Sequence, residues 1–195
     1  MGEKQKINVF LGLMGSGKDY RASFYIKNFK YEQVAFADTL RDILWSILGY
    51  TPSNYEQFKK SNIKLGWFKN ISTGRKLLQN LGSTLRRFIG DDVWVNILLK
   101  KIIDKPRVVI TDCRYDNEAS KLVTFAEKTD ADITFTWCCY PSDKYKQGLT
   151  EKHESEALAQ FITKNYNYKD GEIISSKDIK AIVKAFRKQK LVKNK

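Results

Sequence analysis

The chain is poor in the residues that form disulfides and bind transition metals. Its 195 residues include three cysteines and one histidine. Cys113, Cys138 and Cys139 lie in or beside apolar segments, at spacings that match no metal site. We therefore expect buried thiols of a reducing cytosol, with neither a disulfide framework nor a zinc site.

Long apolar runs are also missing. No stretch approaches the roughly 20 apolar residues that a membrane-spanning helix needs. The N-terminus carries Glu3, Lys4 and Lys6 ahead of a short apolar segment and does not resemble a signal peptide. The hydrophobic fraction of 42% nevertheless suffices for a core in a chain of this length. We expect one globular domain over residues 1–195, without a membrane partner.

Acidic residues are few compared with basic ones. The chain has 22 Asp and Glu against 35 Lys and Arg, a net charge of +13. Such an excess favours polyanionic ligands, either nucleotides or nucleic acid. Much of it lies near the C-terminus, where a solvated helix face followed by a frayed tail is the alternative. Since no recognisable DNA- or RNA-binding motif accompanies the charge, composition leaves the partner open.

The most informative motif follows the first predicted strand, at residues 12–19. Its sequence, Gly-Leu-Met-Gly-Ser-Gly-Lys-Asp, contains the G-x-x-x-x-G-K pattern of a phosphate-binding loop. Backbone N–H groups and the helix N-terminus attract phosphate, and Lys18 adds a full positive charge. A chance glycine-rich turn is the alternative, but the flanking strand and helix favour the loop. The predicted nucleotide-binding residues are Gly12, Met14, Gly15, Ser16, Gly17, Lys18, Asp19 and Tyr20.

Hydrophobic periodicity predicts alternating strands and helices. Strands are expected at 7–11, 33–36, 107–111, 133–140 and 172–174, and helices at 18–29, 38–48, 73–89, 92–103, 118–128, 154–161 and 177–189. Residues 55–70 are ambiguous and fit an insertion or a short helical excursion. The alternation predicts an α/β fold in which helices cover both faces of a parallel sheet.

Charged residues follow two of the predicted strands. Asp38 and Arg41 come after the second strand, and Asp112 and Arg114 come after the central one. Ligands of such sheets bind beyond the carboxyl ends of the strands, so we expect these side chains to converge beside the loop. Asp112 alone could instead cap the next helix or turn, but an arginine two residues later points to phosphate.

Five motifs in this order resemble the bacteriophage deoxynucleoside monophosphate kinases. They are Gly-Ser-Gly-Lys-Asp at 15–19, Arg75-x-x-Leu78-Gln79-x-Leu81-Gly82, Trp94-Val95, Asp112-x-Arg114-x-Asp116-x-Glu118 and His153-x-x-Glu156-Ala157. The resemblance extends over nearly the whole chain. It implies a three-layer P-loop kinase fold with a mostly parallel central sheet. It also implies a helical monophosphate-binding region at about 37–104 and a short lid at about 141–153.

The resemblance further implies an activity, transfer of the γ-phosphate of ATP to a deoxynucleoside monophosphate with Mg²⁺. Lys18 and Arg114 would be catalytic, and Asp19 would ligate magnesium directly or through water. The implied substrate-binding residues are Asp38, Arg41, Arg75, Gln79, Gly82, Trp94, Asp112, Arg114, Glu118, His153 and Glu156. Such an enzyme works in the cytoplasm, that of the infected host cell if phage-encoded. It requires no nucleic acid, and family analogy favours a homodimer.

The chain departs from the family at two places. Tyr20 stands where the family tends to have Thr, and the predicted lid contains Lys144, Lys146 and Lys152 but no arginine. Lysine is a point charge and cannot form the two-pronged contact that arginine makes with a phosphoryl group.

Several residues also have plainer interpretations. Trp94 could be ordinary core, Arg75 and Gln79 could lie on a solvated helix face, and His153 could be a loop residue. Other functions that share this loop remain open. They are dephospho-coenzyme A kinase, phosphomevalonate kinase of the animal type, and a P-loop protein that binds nucleotide or nucleic acid without turnover.

Overall fold

The computed structural model describes residues 3–63, 72–140, 146, 149 and 153–193. The chain divides into two compact units. The sheet unit comprises Met1–Ala35 and Leu98–Lys195, and the helical unit comprises Phe36–Ile97. The predicted helical region at 37–104 overlaps the helical unit. The predicted lid, with Lys144 and Lys152, lies outside the described residues except for 146, 149 and 153.

Strands and helices alternate along the chain. The strands are β1 (Lys6–Leu11), β2 (Glu32–Gln33), β3 (Asn62–Ile63), β4 (Ser72–Thr73), β5 (Arg107–Ile110), β6 (Asp132–Trp137) and β7 (Ile173–Ile174). The helices are α1 (Lys18–Phe29), α2 (Ala37–Leu48), α3 (Tyr55–Lys60), α4 (Gly74–Ile89), α5 (Val93–Ile102), α6 (Asp116–Thr129), α7 (Ala157–Asn165) and α8 (Ser176–Lys193). A 3₁₀ turn, Glu154–Glu156, precedes α7. Among the described residues, no helix combines the length and apolar character needed to cross a membrane.

The sheet unit is built on five strands in the order β2-β5-β1-β6-β7. Neighbouring strands are parallel except for β7, which runs antiparallel to β6. The predicted α/β class with a mostly parallel central sheet is therefore confirmed. Because β1, β5 and β6 run in the same direction, their carboxyl ends lie at one edge of the sheet, beyond Leu11, Ile110 and Trp137.

The central strand is apolar on both faces. Ile7, Val9 and Phe10 of β1 are buried, as expected for a parallel strand covered from both sides. Helix α1 packs on β1 and β5, whereas α6 and α8 pack on β6 and on each other. The connection through α1 leads from β1 toward β2, whereas that through α6 leads from β5 to β6, in the opposite direction across the sheet. Parallel connections are right-handed, so these helices flank opposite faces.

The predicted second strand was wrong in its position. Pairing was expected over 33–36, but β2 is Glu32–Gln33. The N–H of Val34 still donates to the carbonyl of Val109 at 3.0 Å. The chain then leaves the sheet, and Phe36 adopts helical dihedrals as the residue before α2. Val34 and Phe36 are buried by packing, which explains the apolar pattern without strand pairing.

The helical unit has its own apolar cluster, formed by Leu44, Phe58 and Leu78 from α2, α3 and α4. Its helices begin at residues that cap them. The side chain of Asn54 accepts from the backbone N–H of Gln57 at the start of α3, and Thr73 caps α4 in the same way. Helix α3 lies within the ambiguous segment 55–70, of which residues 64–70 are outside the described part.

Candidate functional site

The loop between β1 and α1 has a backbone that favours glycine. Gly12, Gly15 and Gly17 have φ angles of 144°, 77° and 83°, a region that side chains rarely adopt. Gly12 also lies against the end of β6. A Cβ there would collide with the carbonyl oxygen of Cys138 and would come within 2.6 Å of Ser16 Oγ. The loop conformation thus depends on glycine at these positions.

Lys18, the first residue of α1, places its ammonium inside the loop. Nζ donates to the carbonyl oxygens of Gly12 and Leu13, both at 2.7 Å, and lies 3.4 Å from Ser16 Oγ. The residue is only 8% exposed. The loop therefore holds a buried cation at the N-terminus of a helix, where the partial positive charge of the helix adds to its own.

The environment of this ammonium lowers its pKa. Burial, and secondly the charge of Arg114, lower the pKa of Lys18 to about 8, although Glu156, Cys138 and Asp19 oppose the shift. Lys18 is therefore mostly protonated at neutral pH but poorly solvated. An anion that approaches the loop would stabilise the charged form and raise the pKa again.

A buried carboxylate connects the loop with Arg114. Glu156, 3% exposed, accepts the backbone N–H of Met14 at 2.9 Å through Oε2. Its other oxygen, Oε1, forms an ion pair with Arg114. The residues come from the loop, the 3₁₀ turn before α7 and the segment between β5 and α6. The structure thus brings Lys18, Arg114 and Glu156, three predicted site residues, into one electrostatic cluster.

Glu118 fixes the backbone on which Arg114 sits. Its buried Oε2 accepts the N–H groups of Arg114 at 2.8 Å and Tyr115 at 3.1 Å, at the start of α6. Glu118, implied to bind substrate, thus holds the backbone of this segment, and its role toward substrate stays a prediction. Asp112 is half-buried just beyond β5, at the edge of the sheet where the loop lies.

Sequence reasoning missed a polar contact beside the loop. Gln33, at the end of β2, donates to Thr111 Oγ1 at 3.2 Å and lies 3.5 Å from Asp19 Oδ1. Gln33 was predicted to begin the second strand, so it was not placed at the carboxyl edge. Had the second strand been predicted to end at Gln33, this side chain would have been expected at the carboxyl edge of the sheet.

Asp19 is the predicted magnesium ligand. Its carboxylate is exposed in the first turn of α1, so its oxygens are available to a hard cation. Within the described residues there is no group of three or more His, Cys, Asp and Glu side chains that could hold a metal ion. The neighbouring Tyr20 is 85% exposed.

His153 caps the turn that carries Glu156. Its Nδ1 accepts the backbone N–H of Ser155 at 3.2 Å and lies 2.9 Å from Ser155 Oγ. This contact holds the first residues of the turn, whereas a role in nucleotide contact stays a prediction.

The remaining predicted residues belong to the helical unit. Asp38 and Arg41 form an ion pair one turn apart on α2, and Arg41 lies 5.0 Å from the ring centre of Tyr55. The two were expected to converge with the loop, and this stays a prediction.

The other helical-unit residues lie on α4 and α5. Arg75 and Gln79 are one turn apart on α4. Trp94 is 4% exposed, and its indole N–H donates to the carbonyl of Gly82 at 3.3 Å. This places Trp94 in the interior of the unit, and its predicted contact with substrate is untested.

Comparisons with known proteins add little. No family model matches the chain, and no curated protein matches it in sequence. A chain in a structure of the Pnkp1/Rnl/Hen1 RNA repair complex aligns with 97% of this chain and 46% of its own length, at 14% identity and a TM-score of 0.38. A chain in a structure of the Pnkp1/Rnl/Hen1 complex aligns with 78% of this chain and 40% of its own, at 14% identity and a TM-score of 0.36. The chain thus spans less than half of either, and similarity at this level carries no functional inference.

Proposed function

We propose that the protein is an ATP-dependent deoxynucleoside monophosphate kinase with a P-loop kinase fold. The observation that carries the proposal is the buried ammonium of Lys18, enclosed by its glycine-rich loop at the start of α1. Arg114 pairs with Glu156, and the same carboxylate accepts the N–H of Met14 in the loop, so the arginine is held beside the loop. The ordered motifs that resemble phage kinases supply the substrate class.

The loop is suited to hold the triphosphate of ATP. Backbone N–H groups of residues 12–18 would surround the phosphate oxygens, and Lys18 would neutralise charge on the β- and γ-phosphates. When bound, magnesium would screen the charges between these phosphates. Asp19 would hold it directly or through water, as one carboxylate is enough when phosphates complete the coordination.

The chemistry needs positioning and charge neutralisation. An oxygen of the acceptor monophosphate forms a bond to the γ-phosphorus, and the bond from that phosphorus to the β,γ-bridging oxygen breaks, so ADP leaves. The attacking oxygen is already anionic, so no protein group must remove a proton. Arg114 would hold the acceptor phosphate, with Glu156 fixing its position. The parts proposed for Arg41, Arg75, Gln79 and Trp94 rest on the resemblance.

The direct test is a substrate panel. Purified protein with ATP and Mg²⁺ is given each common deoxy- and ribonucleoside monophosphate, dephospho-coenzyme A and phosphomevalonate. ADP is followed by a coupled assay, and the phosphorylated product is identified by chromatography. We expect a deoxynucleoside diphosphate from at least one acceptor. The variant Lys18→Ala, purified identically, should lose at least about a thousandfold in rate because it lacks the main phosphate charge.

Three outcomes would contradict the proposal. Product from dephospho-coenzyme A or phosphomevalonate alone would assign a different kinase. ATP binding without turnover on any acceptor would favour a non-catalytic P-loop protein. Equal activity in the wild type and Lys18→Ala would show that the turnover does not depend on the loop.

A further inference from the structure

A second positively charged feature lies on the sheet unit, between α6 and α8. It is an open groove of about 490 Å³, which we call the basic groove. Its lining residues are Ser120 of α6 and Lys180, Val183, Lys184, Arg187, Lys188 and Leu191 of α8. None of these residues belongs to the phosphate loop or to the cluster around Lys18.

The sequence of α8 separates charge from apolar packing. Its 18 residues include seven Lys or Arg and one acidic residue, Asp178. Lys180, Lys184 and Lys188 recur every fourth position and therefore follow one side of the helix. The buried side chains Ile179, Ile182, Val183 and Phe186 attach the helix to the sheet unit.

Only part of this charge is neutralised locally. Arg187 pairs with Asp116 at 2.6 Å, and Lys180 pairs with Glu127 at 2.5 Å. For Lys184 and Lys188, no carboxylate of the described residues lies within ion-pairing distance. Both lysines are exposed. The groove therefore carries at least two positive charges that neighbouring acids do not neutralise.

We propose that the basic groove binds the sugar–phosphate backbone of a nucleic acid, at a surface separate from the Lys18 loop. Lys180 to Lys188 spans eight residues, or about 12 Å of helix at 1.5 Å per residue. A nucleic acid strand carries a phosphate about every 3.4 Å along the axis, so this stripe can face about four phosphates. The positive charge of the basic groove thus complements the phosphates of a nucleic acid strand.

The lining residues also define the manner of binding. The described residues that line the groove are basic, aliphatic or hydroxyl-bearing, and Phe186 beneath them is buried. Base stacking therefore has no ring to use within the groove, and recognition is by charge without sequence preference. A membrane surface fits less well, because insertion needs a broad apolar helix face. The large apolar side chains of α8 are buried except for Leu191 and Val192 near its end, which are exposed. The inference stands whether or not the protein is a kinase.

The test is fluorescence anisotropy with a labelled 12-base-pair DNA duplex, repeated with single-stranded DNA and RNA of equal length. With Lys184 and Lys188 each contacting a phosphate, raising NaCl from 50 to 200 mM should weaken duplex binding about tenfold. The double variant Lys184→Gln, Lys188→Gln should reduce the slope of log affinity against log salt concentration by about two units. The matched control is Lys100→Gln with Lys101→Gln, two exposed lysines of α5 outside the groove. It removes the same net charge and should leave binding within about twofold.

Saturating ATP should not displace the oligonucleotide, because the two sites are distinct. The proposal is overturned if the wild type does not bind the oligonucleotides at 50 mM NaCl. It is equally overturned if the groove double variant and the control double variant bind them with the same affinity. It is also overturned if ATP competes with the oligonucleotide, or if the groove lysines affect only binding to phosphatidylserine vesicles. All four lysines are exposed, so a thermal melt should show that both variants fold as the wild type does.

Discussion

The backbone N–H of Met14 donates a 2.9 Å hydrogen bond to Oε2 of Glu156, a residue 142 positions later in the chain. The second oxygen of the same carboxylate pairs with Arg114. Because Glu156 is buried, neither contact can be exchanged readily for water. The conformation of the phosphate loop and the placement of Arg114 therefore depend on one side chain.

Replacing Glu156 with glutamine separates its two contacts. Gln keeps an oxygen for the N–H of Met14 but removes the charge that faces Arg114. We expect a several-fold rise in the KM for the monophosphate and a loss of about 1–2 kcal/mol in the free energy of unfolding. The Glu156 charge raises the pKa of Lys18. The alkaline limb of the pH–rate profile should therefore move to lower pH.

The matched control is Glu154→Gln, in the same 3₁₀ turn, where the carboxylate is contacted by the hydroxyl of Tyr115 at 3.3 Å. It should leave the alkaline limb in place. If Glu156→Gln lowered stability but left that limb unchanged, its role would be structural alone.

ATP affinity should fall as the pH rises above about 8. The pKa of Lys18 is about 8 because the ammonium is buried, so the charge needed by phosphate is lost above this pH. We expect the Kd of ATP to rise up to about tenfold per pH unit between pH 8.5 and 9.5. Titration calorimetry from pH 7 to 9.5 measures this directly. Lys18→Arg keeps its charge throughout that range, so an identical pH dependence in this variant would rule out Lys18 as the titrating group.

Arg114→Ala should act on the acceptor more than on the donor. We expect the KM for the monophosphate to rise about tenfold or more, and that for ATP to rise less than threefold. The Arg114 charge lowers the pKa of Lys18. Its removal should therefore move the alkaline limb to higher pH, opposite to Glu156→Gln.

The control for this variant is Arg107→Ala at the start of β5, where the arginine pairs with the exposed Glu3. Both KM values should stay within about twofold, since surface ion pairs contribute little. An equal rise of the two KM values in Arg114→Ala would remove Arg114 from the acceptor site.

Gly12→Ala should destabilise the protein more than Gly90→Ala. Both glycines have large positive φ angles, 144° and 129°, which side chains rarely adopt, so each alanine meets backbone strain of about 1–3 kcal/mol. A Cβ at Gly90 meets no atom within 4 Å, whereas at Gly12 it meets Cys138 and Ser16. That overlap should add about 1–3 kcal/mol. Urea unfolding with unchanged m-values measures the difference, and equal losses would mean that the loop moves away without cost.

Local chemistry explains what the sequence predicted well. The glycine spacing and Lys18 lie within eight consecutive residues, so the loop could be located without tertiary information. Helix α4 was predictable because Leu78 and Leu81 recur on one face and Thr73 caps the first turn. The apolar strands β1, β5 and β6 were found for the same reason, although β6 ends at Trp137 and not at the predicted Tyr140.

Contacts between distant segments could not be predicted in this way. Periodicity reports burial and not hydrogen-bond pairing, which is why the second strand was placed over Val34 and Phe36. The contact between Glu156 and Met14 depends on how the turn before α7 meets the loop, and no local pattern encodes it. The antiparallel direction of β7 likewise follows from the path of the chain before it.

Both outer strands of the sheet, β2 and β7, are two residues long. The inner strands, of four to six residues, pair on both sides, although β2 and β7 each pair with only two residues of their neighbour. A short edge strand exposes few unpaired amide and carbonyl groups, so it offers a poor template for pairing with a strand of another molecule. The short edge strands of the five-stranded sheet thus protect it against edge-to-edge aggregation.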